Sequence, residues 1–147
     1  MALTLKKARE IVLDSWEVVK DTPKEGWGIG IQCSVDHKKC YIGYYAHFRY
    51  GDACANIQTK PGEYLLEASK MLLEYLFGDY FNTHLITNIT VINDYQNDYF
   101  SQSHPKDRCE AFINIVRELN FDELEKTINK IEKELNKAEE FKTEYAL

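Results

Sequence analysis

From Trp27 to Gln58 apolar and polar residues alternate, whereas most of the remaining chain runs on a helical period. Trp27, Ile29, Ile31, Cys33 and Val35 alternate with Gly28, Gly30, Gln32 and Ser34, the period of two of a half-buried strand. A tight turn at His37-Lys38 sets Val35 against Cys40, Cys33 against Ile42, Ile31 against Tyr44, Ile29 against Ala46 and Trp27 against Phe48. A four-residue loop over Asp36 to Lys39 gives the same register. A second turn at Gly51-Asp52 sets Tyr50 against Ala53, Phe48 against Ala55 and Ala46 against Ile57. Every apolar side chain then falls on one face, and a one-residue slip in either turn would reverse a strand. The pattern predicts a three-stranded antiparallel meander over 27–58.

The opposite face of that meander would carry Gly28, Gly30, Gln32, Ser34, Tyr41, Gly43, Tyr45, His47, Arg49, Cys54, Asn56 and Gln58. It holds no acidic residue, and glycine inside a strand marks close approach by a ligand or another backbone. Gln32, Tyr41, Tyr45, His47, Arg49, Asn56 and Gln58 are therefore the candidate binding residues. The tyrosines supply rigid contact area, Arg49 a planar fork for carboxylate or phosphate, and the amides directional hydrogen bonds. The competing expectation is that a helix covers this face and the glycines serve packing.

Helical signals flank the meander. Thr4 to Lys20 puts Leu5, Ala8, Val12 and Val19 on one stripe, with Ile11 and Trp16 beside it. Thr59 to Glu63 starts a helix whose stripe is Tyr64, Leu65, Ala68, Leu72, Tyr75 and Leu76, and Gly78 stops it. The β-branched stretch His84 to Ile92 predicts a fourth strand, and Asn93 to Ser103 reads as loop or weak edge strand. Ser103-His104-Pro105 starts a third helix, with Cys109, Phe112, Val116 and Leu119 inward. Asn120 and Asp122 mark a break or cap.

Phe121 to about Tyr145 is a long amphipathic helix. Phe121, Leu124, Ile128, Ile131, Leu135 and Ala138 recur at alternating spacings of three and four, a narrow seam among Lys and Glu. The seam Leu124, Ile128, Ile131 and Leu135 either packs on the remainder of the chain or forms a homodimer. The order α-βββ-α-β-(β)-α-α predicts an α+β domain, a three- to five-stranded antiparallel sheet (meander 27–58 plus strand 84–92) packed by helices. In element order, size and acidity this is similar to the small dimeric chaperones of secretion systems, a likeness of architecture with no motif behind it.

Composition narrows function mainly by exclusion. At 147 residues the chain is expected to be one domain with a real core. A net charge of −6 argues against duplex nucleic acid and is compatible with a basic protein partner or with nothing more than solubility. No apolar run approaches a membrane span, and the N-terminal residues carry scattered charges where a signal peptide needs an apolar core. Cys33, Cys40, Cys54 and Cys109 have no metal-finger or redox spacing, so free thiols and a cytosolic location are expected. Lys outnumbers Arg, and Asn, Ile and Tyr are frequent, as in AT-rich bacterial or viral coding.

No phosphate loop, dinucleotide fingerprint, nucleophile elbow or zincin motif is present. Gly28 to Gly30 precedes no helix, and Cys33 faces away from His47, so neither starts a site. Asp94, Asp98, His104 and Asp107 share one polar stretch, but their spacing fits capping and solvation better than metal ligation. The chain reads as an acidic interaction module (inhibitor, adaptor or chaperone-like, of phage or mobile-element type) with no catalytic residue, metal or cofactor. The alternative is a nucleotide-like binder, or a hydrolase, with a small anionic ligand on the Tyr/His/Arg face.

Overall fold

The computed structural model describes residues 3–29, 38–50, 60–78 and 87–145. Six α-helices carry these residues: α1 (Leu5–Val19), α2 (Tyr41–Tyr50), α3 (Lys60–Phe77), α4 (Ile89–Asp94), α5 (Pro105–Glu118) and α6 (Phe121–Tyr145). A single 3-10 turn spans Lys24–Gly26. There is no sheet among the described residues, so the α+β architecture and its antiparallel sheet are overturned. The likeness to secretion chaperones, which rested on that architecture, goes with it.

Helix α1 is the hub. The Thr4 hydroxyl accepts the Lys7 N–H and caps it, and its Ala8, Val12, Trp16 and Val19 are buried. It packs most extensively on α3 and also meets α2, α5 and α6. Helix α3 presents Leu65, Ala68, Leu72 and Leu73 to this core and ends at Gly78, whose φ of +51° is the left-handed stop that glycine tolerates best. Tyr64 and Tyr75, expected on the inward stripe, are instead exposed. Helix α5 starts at Pro105 under a His104 cap and buries Cys109, Phe112, Ile113 and Val116.

The second predicted strand is helix α2. Ile42, Tyr44, Ala46 and Phe48 keep a period of two, while Tyr41, Tyr44, Tyr45 and Phe48 keep the helical spacing i, i+3, i+4, i+7, so alternation over ten residues does not discriminate. Burial decides. Tyr41, Ile42, Gly43 and Tyr44 are all buried, on successive sides of the chain. An enclosed backbone without strand neighbours must satisfy its own hydrogen bonds, and a helix does so. The remnant of the first strand is one parallel bridge, Trp27 to Lys39, with Gly28 N–H on Lys39 O at 2.9 Å and Lys39 N–H on Gly26 O at 2.9 Å. Most of that strand, the turn at Gly51-Asp52 and the third strand lie outside the described residues.

The predicted strand 84–92 also fails where it is described. Asn88 accepts N–H bonds from Thr90 at 2.9 Å and Val91 at 3.3 Å, starting α4, while Ser69 Oγ takes the Ile89 N–H at 3.0 Å. Capping and tertiary contacts override the β-propensity of Ile-Thr-Val-Ile. The possible edge strand at 93–103 is a turn instead. Asn97 Oδ1 accepts the N–H groups of Tyr99 and Phe100, both at 2.9 Å, and Phe100 is buried against Phe77 and Phe112.

Tyr41 fixes α2 against α1. Its ring stacks on Trp16 at 6.3 Å and meets Trp27 edge-on at 6.1 Å. Ser15 Oγ donates to Val12 O at 2.6 Å, which leaves the Tyr41 hydroxyl, also 2.6 Å away, to donate to Ser15. Burial pushes the Tyr41 hydroxyl well above its ordinary pKa, outweighing the Ser15 bond, and burial likewise raises Cys109 and Cys40. These groups stay neutral when folded but ionise near their ordinary values when unfolded. Their contribution to stability is thus complete below about pH 9 and is lost as pH rises beyond it. Urea midpoints measured from pH 7 to pH 11 should fall above pH 9, and Tyr41→Phe should flatten the upper part of that fall. The same variant should cost about 1 kcal/mol at pH 7 through the lost hydroxyl bond.

Candidate functional site

Helix α6 begins inside the core and leaves it. Asn120 Oδ1 accepts the Asp122 N–H at 3.0 Å, and Asp122 and Glu123 put negative charge at the helix start. Phe121 is buried, edge-to-face with Tyr75 at 5.3 Å, and Leu124 is half-buried against the same core. Lys6 of α1 pairs with Asp122 at 3.0 Å and with Glu125 at 3.7 Å. Arg9 donates to Val116 O at 3.2 Å and Arg117 O at 2.9 Å, closing the carbonyl end of α5. A polar cleft of about 430 Å³ lies at this joint, lined by Lys6, Arg9, Glu118, Asn120 and Asp122. Lys6, Arg9, Asn120 and Asp122 are spent holding α5, α6 and α1 together, so the cleft reads as a joint.

From 125 to 140 every residue of the helix is exposed. These sixteen positions extend about 24 Å at 1.5 Å per residue. Ile128, Ile131 and Leu135 are 45%, 50% and 60% exposed, and no described element packs on them. With Phe121 at a, the heptad places Ile128 and Leu135 at a and Leu124, Ile131 and Ala138 at d. The e positions are Glu125, Glu132 and Glu139, and Glu134 stands at g. Lys126, Lys130, Lys133 and Lys137 all fall at c or f, on the far side of the helix. The sequence pattern alone finds the seam; its exposure is seen only in the fold.

The other candidate residues are scattered. Tyr41 is fully buried in the aromatic core and presents no contact surface. Tyr45 and His47 are half-buried and Arg49 is exposed; on a helix Tyr45 and Arg49 lie four residues apart on one side, while His47 lies roughly 200° round from Tyr45. Gln32, Asn56 and Gln58 lie outside the described residues. Asp94, Asp107 and His104 of the polar stretch make structural contacts. Asp94 accepts from Asn93 Nδ2 at 2.9 Å, and Asp107 pairs with Lys24 at 2.8 Å in the first turn of α5. His104 accepts the Lys106 N–H on Nδ1 at 3.1 Å, which makes Nε2 the donor to Lys24 O at 3.1 Å. Among the described residues no three metal-ligating groups converge.

Sequence reasoning missed Arg108, the one buried cation among the described residues. Arg108 is 1% exposed and donates to four carbonyls: Ile92 at 2.8 Å, Asn93 at 2.5 Å, Gln102 at 2.8 Å and Ser103 at 2.9 Å. The signal was present, because Arg108 interrupts the apolar stripe Cys109, Phe112, Ile113 and Val116 one turn before Phe112. Asn93, also fully buried, joins Gly28 O at 3.0 Å to the Tyr41 N–H at 3.2 Å. Both are organising groups with no access for a ligand. No described helix is long and apolar enough to cross a membrane. Comparison with protein-family models, curated proteins and solved structures finds no match for this chain.

Proposed function

We propose that the protein works by binding rather than catalysis, as a small acidic interaction module of inhibitor, adaptor or chaperone type that presents α6 to a partner. The observation that carries this reading is the stripe Ile128, Ile131 and Leu135, about half exposed on a helix whose contacts with the core, among the described residues, are made by Phe121 and Leu124. Exposed apolar side chains repeated at a and d are the pattern of a helix awaiting another helix. We take the site of action to be the cytosol, in keeping with free buried thiols at Cys40 and Cys109.

A photoreactive phenylalanine placed at Ile131, in cells that naturally make the protein, tests this. The seam position should give a discrete covalent adduct, and the same group at Lys130, on the far side, should not. Adducts from neither position, or equally from both, would contradict the reading.

A further inference from the structure

We infer that the α6 seam takes a helix whose flanks are basic, in preference to a second copy of this chain; this rests on the binding role proposed for α6. The flanking charges decide it. Glu125, Glu132 and Glu139 line one side of the seam and Glu134 the other, with Thr127 the neutral flank between. In a parallel pair of two copies, g meets e′, which brings Glu134 against Glu139 of the second copy twice over. In an antiparallel pair e meets e′ and g meets g′, and acidic residues again oppose each other. Lys126, Lys130, Lys133 and Lys137 do not meet these flanks across the seam, because they sit at c and f, on the far side of the helix.

The seam is also short. It offers Leu124, Ile128, Ile131, Leu135 and Ala138, below the three to four heptads that sustain a self-standing coiled coil. A partner helix with apolar a and d positions and Lys or Arg at e and g turns each repulsion into attraction and steers association with a chain of net charge −6. Apolar contact then supplies adhesion while the flanks select the partner.

The test uses the full-length protein and two synthetic helical peptides of about four heptads, identical at a and d, with Lys or with Glu at every e and g. Fluorescence anisotropy should show the Lys peptide binding at least roughly tenfold tighter at low salt, with that advantage shrinking as salt screens the flanks. Glu132→Lys combined with Glu134→Lys, both at exposed positions, should reverse the preference. Equal binding of the two peptides, or binding of neither, overturns the inference. Sedimentation adds a separate arm. A dimer broken by Ile131→Asp would show a second copy in the seam, overturning the partner chemistry while leaving the binding role of α6 standing.

Discussion

Arg108→Met should destabilise the protein by about 3–5 kcal/mol and lower its melting temperature by roughly 10–15 °C. Two of its four acceptors, Ile92 O and Asn93 O, belong to the last turn of α4, where helix carbonyls lack partners and carry the negative end of the dipole. The other two, Gln102 O and Ser103 O, lead into the cap of α5. The guanidinium is thus neutralised by converging backbone dipoles where a carboxylate would be expected. Burial lowers its pKa from the ordinary arginine value, yet Arg108 stays charged at neutral pH. Methionine matches much of the volume but donates to none of these carbonyls, and an unpaired buried acceptor costs about 1–3 kcal/mol. Arg108→Lys should recover less than half of the loss, because an ammonium cannot spread its donors over a fork. Urea melts measure the cost, and faster proteolysis near the exposed Tyr95 and Tyr99 should locate it.

The second large effect is on binding with stability spared. Ile128→Asp combined with Ile131→Asp should weaken binding of the Lys-flanked peptide by about a hundredfold, since two apolar contacts are lost and each carboxylate must be desolvated against apolar a and d side chains, a cost the peptide's Lys flanks offset only in part. The melting temperature of the free protein should shift by less than about 2 °C, as surface changes that touch no packed feature do. The two side chains touch nothing in the core, whereas Phe121, one turn before Leu124, is buried in it. Phe121→Ala is therefore the contrasting variant: it should lower stability by about 3 kcal/mol.

These two sites were unequally legible. Thr4, Gly78, Pro105 and Asn120 mark helix ends by backbone chemistry that acts locally, so α1, α3, α5 and α6 could be read within a residue or two. Residues 41–50 carry no such punctuation, and a short run apolar on all sides looks alike as strand or helix. The internal consistency of the proposed meander was not independent support. Alternation in Trp27 to Gln58 fixes which residues would share a face if strands formed, without supplying the free energy to form them. At Ile89–Asp94 the decisive contacts come from Asn88 and, twenty residues away, Ser69. The heptad of α6 was visible at once. Whether it faced the core depended on how many residues α1, α3 and α5 could cover, and that is a tertiary property.

Backbone hydrogen exchange on α6 shows whether the seam is open in the free protein. A helix exposed from residue 125 to 140 opens there at little cost, because helix stability in proteins comes mainly from packing. In dilute free protein the amides of Ile128, Ile131 and Leu135 should exchange about a hundredfold faster than those of Phe112 and Val116 on the buried face of α5. Saturating Lys-flanked peptide should slow the α6 amides at least roughly tenfold and leave α5 unchanged. Protection on α6 equal to that on α5 in the free protein, unchanged on dilution, would mean that the seam is already packed, and would contradict the account.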